Sequence, residues 1–521
     1  MAEQVKAEDV GLTTTENGAL SYPSTLNCCV DLFFKTVRGV EEGALVELLK
    51  ASWEECPEAT LRIIFQTRDC RGGKGEKMIF YQALKWLNTE NPATVRKNLV
   101  HVPFFGTWKD LLALCTHVPE LEDLVIDLFV ERLKDDKRIL GVKEFGNTDA
   151  EVVSLCAKWA PTEKHYFDDK LKLAKKIATK LCSSKNVMKE YRTEYLVPLR
   201  KELKVTERFM CANDWQHIPY STVPSRCMDR NKVSFVTHDE DRFQKFLMAA
   251  MSGKAKLQGK QMYPHELTRQ LMRASKRDLV VECQWKSIMD DIKEKGGLEK
   301  AIVLSDVSGS MSGTPMEVSI ALGLLISELS SGPFHDMIIT FHENPTFHHV
   351  TGSNLLERVK NVARMDWGGS TNFQAALELV LEMAKKENVP QEDMPDKLFV
   401  ISDMQFDQAD RNYATNHVAL TDKFKQAGYE VPLIIYWNVR PNTTDFPAMS
   451  DTPGVAMLAG YSPSLLKVVM DGCDLEAEPP MELVSDDPAA PAPVKEKIEI
   501  NPADILKKAL DDERYAILKL Q

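Results

Sequence analysis

The chain has 521 residues, 44% hydrophobic and 27% charged, and carries 65 Lys and Arg against 77 Asp and Glu for a net charge of −12. This composition excludes a fibrous or low-complexity chain and suits a globular protein of roughly two to four domains. The start is polar and acidic, and no apolar run approaches the roughly 20 residues needed to cross a bilayer, so no secretory signal, no membrane span and a cytoplasmic location are expected.

Charge is unevenly spread. Residues 151–300 hold 30 Lys and Arg against 20 Asp and Glu, a net of +10, whereas residues 1–150 carry −6 and residues 301–521 carry −16. The basic middle third is either an anion-binding surface or a solvated helical one. The eleven cysteines include no Cys-x-x-Cys pair and suit reduced thiols.

In chain order, residues 1–26 lack apolar periodicity and read as a flexible N-terminal arm. Residues 27–297 hold short amphipathic segments, at 43–49, 59–65, 78–87 and 121–129, separated by Pro, Gly or polar turns. Such a succession predicts an α-helical, HEAT-like solenoid, although no fixed period is visible. The loop at 67–77 places Arg68, Arg71 and Lys74 between two helices, where they either touch RNA or cap their neighbours. Farther on, Lys172, Lys176 and Lys180 are spaced by four and share one face of a single predicted helix. That row either tracks phosphates or is simply solvated.

The loop at 67–77 and the segment Val102-Pro103-Phe104-Phe105-Gly106-Thr107-Trp108 resemble the helical-repeat module, called TROVE, of the Ro ribonucleoprotein family. Residues 157–162, 218–228 and 262–267 are more similar to a family known as domain of unknown function 2828. The Ro resemblance implies RNA binding by the helical repeats, which a C-terminal domain closes into a ring.

Residues 298–473 alternate strand and helix as a doubly wound α/β domain does, with strands near 301–305, 337–341, 346–350, 397–402, 431–437 and 455–459. The first strand ends in Asp306-Val307-Ser308-Gly309-Ser310, which sets one carboxylate and two hydroxyls at a sheet edge where ligands bind. Two further turns lie downstream, Gly368-Gly369-Ser370-Thr371 and the strand end at Asp403. Hard oxygen donors of this kind suit Mg²⁺ or another divalent cation such as Mn²⁺. This set resembles the metal-ion-dependent adhesion site of von Willebrand factor A domains. The resemblance implies metal contacts from Asp306, Ser308, Ser310, Thr371 and Asp403, and an open position that takes an acidic group of a protein partner. Ser370 is an insertion relative to that pattern.

Residues 474–497 form an acidic, proline-rich linker, and residues 498–521 open with Asn501-Pro502, a good start for a final helix over 505–520 that docks on the body. No Walker loop, no Gly-x-Ser-x-Gly elbow and no zinc spacing around His342, His348 and His349 is present, so no enzymatic activity is expected. Two functions remain: a Ro-like RNA-binding ribonucleoprotein component, and alternatively a metal-dependent protein-interaction scaffold without RNA binding.

Overall fold

The computed structural model describes residues 11–144, 151–296, 298–341, 345–365, 373–406, 416–441, 443–470 and 500–521. Two compact units emerge, and neither is one continuous stretch of chain. The first comprises the chain up to Ala59, Tyr263–Asp278 and Ile288–Asp512; the second comprises Thr60–Met262, Leu279–Ser287 and Glu513–Gln521.

The first unit is built on a mixed sheet. After a two-stranded hairpin, β1 (Thr13–Thr14) and β2 (Leu20–Ser21), come β3 (Ala301–Asp306), β4 (Met337–Phe341), β5 (Phe347–His349), β6 (Lys397–Ser402), β7 (Leu433–Asn438) and β8 (Val455–Ala459). Six strands are ordered β5-β4-β3-β6-β7-β8. All neighbours are parallel except β4 and β5. The strands β3, β6, β7 and β8 are continuous apolar runs because parallel strands are covered on both faces. The helix Thr314–Leu329 packs on β3, and Gly323 allows the approach, since a Cβ there would lie 2.3 Å from the Oγ of Ser305.

Residues 11–26 are folded, which corrects the expectation of a flexible arm. Tyr22 and Phe446 exchange backbone hydrogen bonds of 3.0 and 2.8 Å, and the helix Cys28–Lys35 packs on β8 with Phe34 against Phe446. Periodicity could not register this segment, because main-chain bonds to a distant loop hold it rather than an amphipathic face.

The second unit is helical. Phe65, Phe80 and Phe105 pack edge to face, and Tyr515 stacks on Phe105 at 5.4 Å. The last helix runs only over Pro502–Leu510, in the first unit, with Asn501 accepting from the Asp504 N–H. Beyond it, the tail folds with the second unit, where Tyr515 donates to Asp69 at 3.1 Å and Lys519 exchanges two backbone bonds with the Asn98 amide. These tertiary bonds stop the helix that periodicity carries to 520. The linker at 474–497 lies outside the described residues.

Candidate metal centre

Strands β3 and β6 are neighbours, with Ser305 opposite Ile401, so their carboxyl ends bring Asp306 beside Ser402 and Asp403. Both aspartates are fully buried. Asp306 accepts from the Ser402 hydroxyl at 2.6 Å and from the Ser308 N–H at 2.9 Å. The hydroxyls of Ser308 and Ser310 lie 3.0 Å apart, and Ser310 is exposed. Asp403 accepts from the Gln405 N–H at 3.2 Å, in a turn that Met404 closes with a left-handed φ of 65°. Burial, reinforced by the Asp403 carboxylate, pushes the Asp306 carboxyl up to about 6.

Two buried carboxylates therefore stand near enough to repel one another. Arg440, just past β7, donates to Asp403 at 2.9 Å; among the described residues no cation pairs with Asp306. The pair keeps an uncompensated negative charge, and the surrounding donors are hard oxygens. The set fits a divalent cation: Asp306, Asp403, Ser308 and Ser310 would hold it, and it would offer a Lewis-acidic position toward solvent. Among the described residues no cluster of three or more His, Asp, Glu or Cys gathers, so the hydroxyls are essential to this fit. Thr371 lies outside the described residues.

The N-terminal hairpin holds the loop that carries Asp403. Thr15 donates to the Phe406 carbonyl at 2.7 Å, Glu16 N–H to the Gln405 side chain at 2.7 Å, and the Asn17 amide to the Gln405 carbonyl at 2.8 Å. Sequence reasoning missed this clamp and Arg440. The one available signal for Arg440 was its place at the carboxyl end of a strand adjacent to β6.

The six cations expected at RNA lie elsewhere and do not form one surface. Lys172 has a left-handed φ of 53° and separates the helices Tyr166–Leu171 and Leu173–Leu181, so it is not in line with the other two. Lys176 pairs with Glu122, and Lys180 pairs with Asp127 at 2.8 Å; both acids are on the helix Glu122–Glu144. Arg68 is 2% exposed and bonds Asp110 at 2.6 Å, while Asp110 also accepts from the Tyr81 hydroxyl and the Thr107 N–H. Arg71 is exposed and donates to the Phe104 carbonyl at 2.6 Å. Lys74 is fully buried, and burial pushes its ammonium down to about 7.

A family model described as domain of unknown function DUF2828 matches residues 15–123 and 116–298. The chain belongs to this family. A relative called "Uncharacterized protein L728", from Acanthamoeba polyphaga mimivirus, is 33% identical over 491 residues, covering 88% of this chain and 85% of the relative. A second model, domain of unknown function DUF7788, matches residues 300–510. In this DUF2828 member, Asp306, Ser308, Ser310, Asp403 and Arg440 all fall within the stretch matched by the second model, while the hairpin that clamps the Asp403 loop begins before the first match and runs into it.

Proposed function

We propose that this chain is a metal-dependent interaction protein. Its α/β unit works as a von Willebrand factor A-type domain that binds Mg²⁺ or Mn²⁺ through Asp306, Ser308, Ser310 and Asp403, with Thr371 completing the set. The open coordination position takes a carboxylate from a protein partner, and the HEAT-like helical part serves assembly. No catalysis is proposed. The observation that carries the reading is the pair of fully buried aspartates at the ends of adjacent strands, one of which lacks a cationic partner among the described residues. Holding two carboxylates in this way is costly without a cation between them, and sites that carry such a cost are where function concentrates.

The Ro-like RNA reading stands on the resemblance of the helical segments and on the basic middle third, with Lys172, Lys176, Lys180, Arg68, Arg71 and Lys74 as its candidate contacts. Four of these are ion-paired or buried, so the metal-dependent reading is preferred. A displayed library of random peptides, selected on the full chain in Mg²⁺ and eluted with EDTA, tests it. Enrichment of Asp- or Glu-containing peptides that the Asp306→Ala protein does not capture supports the reading. Peptides retained in EDTA, or captured equally by Asp306→Ala, would refute it.

A further inference from the structure

The helical unit contains an open cleft of about 450 Å³, lined by Pro219, Tyr220, Arg242, Lys245, Phe246 and Ala255 among others. It has no part in the metal centre. Beside the cleft, the helix Ser225–Met251 is broken at Asp239, whose φ and ψ are −155° and 47°. Released from the helical path, the Asp239 carboxylate accepts from the Tyr220 hydroxyl at 2.8 Å and pairs with Arg242. Arg242 in turn donates to the carbonyls of Ile218 at 2.9 Å and Trp215 at 2.6 Å, with its guanidinium 4.4 Å over the Tyr220 ring. One wall is therefore fixed by a set of charge-assisted bonds. Behind it, Tyr220 packs on Phe243 and Phe246 at 4.9 and 5.5 Å, so the aromatic wall is anchored in the core while Phe246 stays half-buried.

Past the acidic run Asp239-Glu240-Asp241, whose first member pairs with Arg242, the charge beside this cleft is basic. Residues 243–260 contain Lys245, Lys254, Lys256 and Lys260 and no Asp or Glu. Lys245 lines the cleft, and Lys254 and Lys256 flank Ala255, which also lines it. All three are exposed, and among the described residues none has an ion-pair partner. Lys176 and Lys180 are instead held by acids of the helix Glu122–Glu144. A cleft of this size has room for one nucleotide-sized group at a time. Anchored rings beside unpaired ammonium groups are the chemistry that takes a flat base on one side and a phosphate on the other.

We propose that the cleft binds a nucleoside monophosphate, either as a free nucleotide or as one unit of a single strand. The base lies against the half-buried Phe246 ring, which Tyr220 backs, and the phosphate is held by Lys245 with Lys254 and Lys256. Calorimetric titration of the full chain tests this with AMP, adenosine, inorganic phosphate and a 5′-phosphorylated single-stranded hexanucleotide. Saturable AMP binding is expected, with adenosine and phosphate each weaker by about tenfold or more, because each lacks half of the recognised group. Lys245→Glu, an exposed position, should weaken AMP by about tenfold. Phe246→Leu, which keeps apolar volume but removes the ring face, should weaken AMP more than phosphate. Lys176→Glu should change neither. A hexanucleotide that binds more tightly than AMP identifies a strand as the source; equal affinity identifies the free nucleotide. Absence of saturable binding by both, or binding that Lys245→Glu leaves intact in a protein that melts as wild type, would overturn the proposal.

Discussion

Asp306 and Arg440 carry opposite consequences of the same buried charge. Replacing Asp306 with the neutral, isosteric Asn removes the like-charge contact with Asp403, so in EDTA the variant should melt about 2–4 °C higher than wild type. The rise in melting temperature that Mn²⁺ gives the wild type should disappear in the same variant. A variant that is less stable in EDTA would show that Asp306 is structural. Arg440 is the cation that Asp403 already has, so Arg440→Ala should raise Mn²⁺ affinity on the order of tenfold by removing a competing positive charge. Unchanged or weaker binding would mean that the guanidinium instead orients Asp403. Lys74 gives a pH test. Its folded value of about 7 lies below its ordinary 10.5, so the unfolded chain binds the extra proton between those limits. The penalty for charging the buried amine is fully present below pH 7 and disappears as pH rises to 10.5. Stability should accordingly rise over that window with a slope of up to about 1.4 kcal/mol per pH unit from this group. Lys74→Met should flatten that rise in urea unfolding at pH 7 and 9; an unchanged slope would assign the rise to other groups.

At the scale of elements, the contact between the helix Thr314–Leu329 and β3 depends on Gly323. Gly323→Ala should destabilise the first unit by about 1–3 kcal/mol, because the new Cβ meets the Ser305 oxygen at 2.3 Å. Adding Ser305→Ala should recover most of the loss, since the remaining Ser305 Cβ is 3.5 Å away, an ordinary contact. Denaturant unfolding of both variants measures it, and a double variant no better than the single would contradict the packing. The same scale shows what was legible in the sequence. Apolar runs ending in Asp306 and Asp403 gave both strands and the edge they share, because a buried parallel strand has few other ways to be written. The lysine row does not lie on one helix, for a specific reason. Spacing by four aligns side chains only along an unbroken helix, and Lys172 breaks it; the acids that hold Lys176 and Lys180 stand more than fifty residues earlier. For Arg68 and Lys74 the sequence leaves RNA contact and capping of neighbouring helices both open, because spacing does not tell which way a glycine-rich loop turns. This one folds inward, and at Gly73 a Cβ would lie 2.0 Å from the Gln66 carbonyl. The hairpin that clamps Gln405 was invisible, since its partners are almost 400 residues away and bind main chain.

At the scale of the whole molecule, the chain leaves and re-enters each unit several times, so a linear cut misses the folding boundary. A fragment of residues 298–521 lacks the segment around Tyr22, whose backbone pairs with Phe446, and the helix Cys28–Lys35 that covers β8. That fragment should aggregate when expressed alone and become soluble when residues 1–297 are supplied on a second chain; a monomeric, cooperatively melting fragment would contradict this. The metal centre depends on the same completeness, because residues 15–17 hold the loop that carries Asp403.

Calorimetric titration of the full chain with Mn²⁺ tests the central claim most directly. Binding of one ion per chain, lost in Asp306→Ala and strengthened in Arg440→Ala, is the expected result. No saturable heat, or binding that survives the loss of Asp306, would contradict a metal-dependent interaction site at the ends of β3 and β6.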